Sequence, residues 1–372
     1  MSRIPVLFCT DGIFPHAVGG MQRHSRLLVE ALAKTGEADI TVVHPHVGVT
    51  VFSSVPNVKE IAIKTVPSSG TYLIDCFHYS KQVAEVVRSM PEAIVYSQGL
   101  SVWSEIGSFG NRVIVNPHGL EPYQGLTFSD RMKGIPFRLI FNHLFRKAAR
   151  VVSLGGRLTG ILESRTGRGK VAVLPNAVNV PPPFSRTYNK TPLKFLFVGR
   201  FAFNKGINVL IEAAEQLNNE GFANEFEFHL VGKGPLWDHY SQQKKLPNLK
   251  YLGFADDDAL NRLYAECDVF VLPTLFEGMP TVVLEAMGHG MPIIVTDVGA
   301  TLEMVGADNG FIIEKNDVAS LVSAIRSYHQ MDEAKRKELS ENSYKKVSAS
   351  FTWNKVAARH LELFREMHRS TK

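Results

Sequence analysis

A chain of 372 residues, 45% of them hydrophobic, has the length for two ordinary domains and the composition of a soluble globular protein. No window approaches the roughly eighteen apolar residues of a membrane-spanning helix, and three scattered cysteines, Cys9, Cys76 and Cys267, imply neither a disulfide framework nor a metal cluster and fit a reducing compartment. The net charge of +5 is uneven: residues 1–180 carry 19 Lys/Arg against 12 Asp/Glu, residues 181–372 carry 22 against 24. A basic first half can attract anionic lipid or a phosphorylated substrate. With no zinc-finger or RNA-binding aromatic motif, nucleic acid is not an expected partner.

Ile4 to Cys9 reads as a first core strand, too short and too soon interrupted for a signal peptide. A loop ending in Gly19-Gly20 follows, then a helix with Leu27, Leu28, Ala31 and Leu32 as its buried stripe. The two glycines would let the backbone adopt positive φ and approach a ligand, and the helix they open would aim N–H groups at phosphate. Strands are expected at 39–43, 58–63, 93–96 and 112–115, with helices over 72–90 and 102–109. Asn116-Pro117-His118-Gly119 closes the last of these strands. A helix is expected over 134–150, with a basic end, Arg146, Lys147 and Arg150, that complements the helix dipole or meets phosphate groups. Strands at 151–153 and 171–174 complete this half, and the proline-rich stretch 180–192 reads as a stiff linker.

The pattern then starts afresh, which argues for a second, similar α/β domain. A strand at 194–198 runs into Gly199-Arg200 and, five residues on, Lys205-Gly206 before a helix. Arg200 offers a fixed fork of donors and Lys205 a mobile point charge, a pairing suited to a diphosphate. As surface residues they would be unremarkable, but the carboxyl-end loops of a parallel sheet line the ligand crevice. Strand 227–231 is followed by Gly232-Lys233-Gly234, and strand 249–252 by Gly253-Phe254 and the acids Asp256 to Asp258, which suit a helix N-cap better than a metal site. A buried strand at 269–272, a Gly/Pro-marked loop holding Glu277, a helix from Thr281 holding Glu285, and a strand at 292–295 form a βαβ unit. Asp297 to Glu303 opens another helix, where the N–H groups of Ala300, Thr301 and Leu302 could hold a diphosphate. Helices over 318–328, 332–347 and 353–367 end the chain.

Glu277 and Glu285, with seven residues between them and Pro280, Ala286, Gly290 and Pro292 around them, resemble the signature of retaining glycosyltransferases of family four. The resemblance extends to Pro15 with Gly19-Gly20, to His118-Gly119, to Pro175-Asn176-Ala177-Val178-Asn179, and to Gly199-Arg200 with Lys205-Gly206. It departs at Asn116-Pro117, where the family often has a hydroxyl residue, at Asn179, which replaces an acid, and at Ala300, which replaces a glycine.

The resemblance implies the GT-B fold, an α/β architecture of two Rossmann-like domains facing each other across a cleft. An acceptor-side domain would span 1–180 and a nucleotide-sugar domain 181–352, with a helix over 353–372 crossing back to the first. It implies a metal-independent, retaining hexosyltransferase without a cofactor, taking a UDP-, GDP- or ADP-sugar donor. Arg200 and Lys205 would clamp the diphosphate, with Gly19, Gly20, Gly199 and Gly232 near it. Glu285 would grip the ribose and Phe254 would lie beside the base. Glu277 and His118 would contact the transferred sugar. The basic first half fits a lipid-linked or phosphorylated acceptor, peripheral contact with anionic membrane at the inner face of the cell membrane, and a cytoplasmic enzyme of surface polysaccharide or glycolipid synthesis. A soluble-acceptor synthase, a nucleotide-sugar epimerase of the same fold and an inactive scaffold subunit are the alternatives.

Overall fold

The computed structural model describes residues 3–64, 70–125, 127–183, 185–188 and 190–370. Phe184 and Asn189 of the expected linker, and Thr371 and Lys372 of the expected last helix, lie outside the described residues. The chain divides into two compact units: residues up to Ala177 together with those from Trp353 onward, and Val178–Thr352.

The first unit contains β1 (Ile4–Cys9), α1 (Gly20–Lys34), β2 (Ala38–His44), β3 (Val58–Ala62), α2 (Tyr72–Ser89), β4 (Ile94–Gln98), α3 (Ile106–Phe109), β5 (Val113–Asn116), α4 (Phe128–Lys133), α5 (Ile135–Lys147), β6 (Arg150–Ser153), α6 (Arg157–Thr166) and β7 (Val171–Val173). The strands form one sheet in the order β3-β2-β1-β4-β5-β6-β7, every pair parallel. β4 and β5 are buried at every position, as central strands covered on both faces must be, which is why their sequences run apolar instead of alternating.

The second unit contains β8 (Leu193–Val198), α7 (Ile207–Asn219), β9 (Phe226–Val231), α8 (Trp237–Gln243), β10 (Leu249–Gly253), α9 (Asp257–Glu266), β11 (Val269–Leu272), α10 (Thr281–Gly288), β12 (Ile293–Thr296), α11 (Thr301–Met304), β13 (Gly310–Ile313), α12 (Val318–His329) and α13 (Glu333–Ser350). Its sheet has the order β10-β9-β8-β11-β12-β13, again all parallel. α14 (Trp353–Ser370) then joins the first unit. It buries Trp353, Val356, Ala357, His360, Leu361, Phe364 and Met367, spaced three and four apart, and lies against α1, β1 and β4. This is the returning helix that the resemblance implied.

Strand order reverses between β1 and β4 in the first sheet and between β8 and β11 in the second. Ligands of open parallel sheets bind beyond the carboxyl ends of the strands at such switch points. The loops after β8 and β11 carry Arg200, Lys205 and Glu277.

Four stretches differ from the sequence reading. The helix expected over 102–109 forms only from Ile106, because side-chain hydroxyls capture the backbone before it: Ser97 Oγ accepts from Val102 N at 3.1 Å and Ser80 Oγ from Ser104 N at 3.1 Å. The helix expected over 134–150 stops at Lys147, and Ala148 is already extended. Two unexpected helices are α4, started by a capping box of Thr127 and Asp130, and α6.

Candidate functional site

In the second unit the strand-end loops are locked to one another through backbone that has no room for a side chain. A Cβ on Gly232, whose φ is 124°, would lie 2.0 Å from Gly199 O, and Gly232 N donates to Gly253 O at 2.7 Å. A Cβ on Gly206 (φ 67°) would lie 1.8 Å from Pro273 O, and one on Gly299 (φ 53°) 2.2 Å from Gly278 O. Only glycine fits these positions. The β8 loop is also bonded to the β11 loop: Leu275 N donates to Asn204 O at 2.8 Å and the Thr274 hydroxyl to the same oxygen at 2.9 Å.

This locking brings Lys205 to Glu277, 72 residues along the chain, where Lys205 Nζ forms an ion pair with Glu277 Oε1. Both side chains are largely buried, and Thr274 Oγ1 lies 3.3 Å from the same carboxylate oxygen. The residues assigned from sequence to phosphate and to sugar thus hold each other. Arg200 is exposed and Phe254 is 80% exposed, so both present their side chains to solvent. Glu285, on α10, accepts a 2.9 Å hydrogen bond from the Tyr264 hydroxyl. Tyr264 is fully buried, and burial, with the Glu285 charge beside it, pushes its phenol well above the usual tyrosine range. It therefore stays protonated and donates, fixing one carboxylate oxygen of Glu285. His289 stacks on the Tyr264 ring at 5.2 Å.

Two expectations about backbone donors are corrected. Ala300 N donates to Gly278 O at 2.9 Å and Thr301 N to Val298 O at 3.0 Å, so these N–H groups secure the Gly299 loop and are not a ready diphosphate cradle with Leu302. In the first unit, Gly19 has φ 167°, which is extended backbone, and neither Gly19 nor Gly20 lies in the left-handed region that favours glycine. A Cβ on Gly20 would meet nothing within 4 Å, so this glycine leaves open space at the start of α1.

His118, at the end of β5, is held differently. Its backbone is left-handed, φ 58°, and its N–H donates to Asn116 Oδ1 at 2.9 Å. Asn116 Nδ2 donates to the Tyr96 hydroxyl at 3.1 Å, and that hydroxyl lies 2.9 Å from His360 Nε2 on α14. His360 Nδ1 sits 2.8 Å from Val356 O, which can only accept. The imidazole must therefore carry its hydrogen on Nδ1, take the Tyr96 hydrogen on Nε2, and leave the Tyr96 oxygen for Asn116. Every proton in the chain from Val356 to His118 is thereby oriented. The His118 ring pairs with Gln98 Oε1 through Nε2 and meets His24 edge-on at 5.0 Å. Desolvation, with His360 nearby, pushes His118 down to about 3, and desolvation pushes His360 down to about 4, so both are neutral at pH 7.

Among the described residues, no group of three or more His, Cys, Asp or Glu is placed to hold a metal ion. Residues 18–180 match the family described as Glycosyltransferase Family 4, and residues 192–330 the family described as Glycosyl transferases group 1. The chain is a GT-B glycosyltransferase related to family four. This glycosyltransferase is 26% identical over 321 residues to an uncharacterized glycosyltransferase of Methanocaldococcus jannaschii, covering 83% of this chain and 86% of the other. It is 33% identical over 175 residues to the Escherichia coli UDP-Gal:alpha-D-GlcNAc-diphosphoundecaprenol alpha-1,3-galactosyltransferase, covering 42% of this chain and 44% of the relative. Its fold is similar to that of sucrose-phosphate synthase from Thermosynechococcus elongatus, with TM-score 0.81 at 19% identity, over 99% of this chain and 100% of the other.

The glycosyltransferase depends on a nucleotide-sugar donor. Sequence reasoning did not single out Asn204, Thr274 and Tyr264 in the second unit or Tyr96 and His360 in the first. Each is an ordinary core or loop residue in its own segment, and its partner lies on a different element.

Proposed function

We propose that the enzyme transfers a hexose, with retention, from a nucleoside-diphosphate sugar to a hydroxyl of a lipid-diphosphate-linked acceptor in surface polysaccharide synthesis. The observation that carries the donor half is the Lys205–Glu277 pair, set at the switch point of the second sheet with Glu285 on the next helix. A departing diphosphate is an anion that can draw Lys205 from Glu277, with Arg200 from the same loop beside it. Glu277, released from the lysine, accepts from sugar hydroxyls or steadies positive charge at the anomeric carbon. Glu285, one oxygen held by Tyr264, grips the ribose hydroxyls. Phe254 lies beside the base, Gly199 and Gly232 line the nucleotide site, and His118 contacts the sugar as a neutral imidazole. These groups supply the charge that a divalent ion would otherwise supply. The acceptor half rests on the diphosphoundecaprenol galactosyltransferase among the relatives and on the basic first half of the chain. Such an acceptor also implies peripheral work at the inner face of the cell membrane.

Calorimetric titration with UDP, GDP and ADP, each with and without Mg²⁺, tests the donor site. One nucleotide should bind selectively and indifferently to the metal. Glu285→Ala should weaken that binding, whereas Glu277→Ala should lower turnover more than affinity. No binding to any of the three nucleotides would overturn the donor assignment.

A further inference from the structure

The basic excess of this protein is confined to one segment. Residues 127–170 contain ten Lys/Arg and two Asp/Glu, whereas residues 1–126 contain nine against ten, and residues 181–372 contain 22 against 24. Both acids within the segment are engaged there. Asp130 closes the capping box of α4, and Glu163 lies 3.9 Å from Arg168. Several of the cations are braced against backbone oxygens instead of carboxylates: Arg138 donates to Pro122 O and Arg131 O, both at 2.7 Å, and Lys170 to Arg146 O at 2.7 Å. Bonds to neutral carbonyls leave the positive charge uncancelled.

The same segment exposes large apolar side chains. α4 buries none of its residues, and α5 buries only Phe141, Leu144 and Phe145. Phe128 is 79% exposed, Met132 51%, Ile135 37% and Leu139 65%. Phe128 and Met132 are four apart on α4, and Ile135 and Leu139 four apart on α5, so each pair shares one face of its helix. Arg146, seven residues beyond Leu139, falls on the same outer face of α5 at 100° per residue. Single exposed apolar residues mean little, but four on two consecutive helices inside the basic segment are more than a merely solvated surface needs.

We infer that α4 and α5 form an interfacial docking face for an anionic lipid bilayer, seating Phe128, Met132, Ile135 and Leu139 at the acyl boundary and Lys133, Arg146 and Lys147 among the headgroups. A soluble polyanion would account for the cations but gives exposed phenylalanine and leucine nothing to do. A bilayer surface uses both, because burial of apolar side chains and attraction to acidic headgroups add. The inference deepens the lipid-linked acceptor reading by naming the surface that brings the enzyme to its acceptor, and its test reads lipid binding alone. Failure here would leave the donor assignment standing, and failure of nucleotide binding would leave this one standing.

The test is co-sedimentation of the full chain with vesicles of phosphatidylcholine alone and of phosphatidylcholine with an equal part of phosphatidylglycerol. The chain should pellet with the mixed vesicles and stay in solution with the neutral ones. The double substitution Phe128→Ser with Leu139→Ser, and separately Arg146→Glu with Lys147→Glu, should each weaken binding to mixed vesicles about tenfold or more. All four side chains lie outside the core, so UDP, GDP or ADP binding should be unchanged, and the thermal midpoint should drop only slightly, and only for the charge reversal, whose glutamates oppose the dipole at the end of α5. A charge reversal of the same size at Lys335 and Lys337, on α13 of the second unit, should leave vesicle binding as it was. A wild-type chain that ignores the mixed vesicles would overturn the inference and give the face to a protein partner. Serine variants that bind as tightly as wild type would also overturn it, reducing the contact to unspecific adsorption.

Discussion

The strand-end loops of the second unit, where the donor is proposed to bind, and the His118 loop of the first both end parallel strands, yet they are built by different means. After β8, β9 and β12 the backbones touch, at Gly206, Gly232 and Gly299, and a side chain at any of these points would overlap a carbonyl oxygen. The His118 loop is instead propped by a relay of side chains, Asn116, Tyr96 and His360, the last of them brought by α14. Backbone-on-backbone packing tolerates no substitution, whereas a side-chain relay can be rebuilt with other residues. The first arrangement suits a donor whose diphosphate is common to every nucleotide sugar. The second leaves room for change on the side assigned to the sugar and the acceptor.

The sharpest way to break this contrast is Gly232→Ala. It combines a left-handed backbone with overlap against Gly199 O, and chemical denaturation should show a loss of about 2–5 kcal/mol. Unchanged stability would mean that the loops are not locked as described. Next in size is Lys205→Ala, which takes the counter-charge from a largely buried Glu277 carboxylate and would remove the proposed charge-assisted contact to phosphate. Nucleotide affinity measured by calorimetry should fall by about 1.5–3 kcal/mol. Asn116→Ala cuts the relay, leaving the His118 N–H and the Tyr96 hydroxyl each short of a partner. A stability loss of about 1–3 kcal/mol is expected, with turnover reduced while nucleotide affinity stays near wild type.

The histidines give a pH signature. His24, His118 and His360 all have folded pKa values depressed below the ordinary 6.5, His118 to about 3 and His360 to about 4. As the pH falls below about 6.5 the unfolded chain takes up protons that the folded chain refuses, so stability is full above that pH and declines toward pH 4. Tyr96→Phe removes the relay but keeps the burial, and should preserve most of this decline in thermal melts across that window. The smallest effect belongs to Gly20→Ala. With open space around it and no positive φ, the substitution should leave stability within about 1 kcal/mol of wild type or raise it slightly, the opposite of Gly232→Ala.

The strands were legible because apolar runs such as Ile4–Cys9 and Val269–Leu272 can only be buried, and the restart after the proline-rich stretch marked the second sheet. What escaped notice escaped for physical reasons. α4 has no buried stripe, so no periodicity announces it; its signal was the Thr127 and Asp130 capping box. Gly19 and Gly20 look like Gly206 and Gly232 in sequence, since nothing local tells a glycine that faces a carbonyl from one that faces solvent. Arg200, Lys205, Glu277 and Glu285 were singled out by pattern, but the contacts that hold Lys205, Glu277 and Glu285 were not. The Lys205–Glu277 pair joins two loops, and the Tyr264–Glu285 bond joins two helices. Such contacts are decided by strand order, which a linear reading supplies only as an expectation.

The interlocking of the β8, β11 and β12 loops has a consequence for engineering. Gly206 seats one loop on Pro273, and Gly299 seats another on Glu277 and Gly278. None of the three can be exchanged alone for the corresponding loop of a relative without replacing the surface on which it rests. Chimeras meant to change the donor should therefore transplant the three as a set, or retune exposed positions such as Phe254 that no neighbouring backbone constrains.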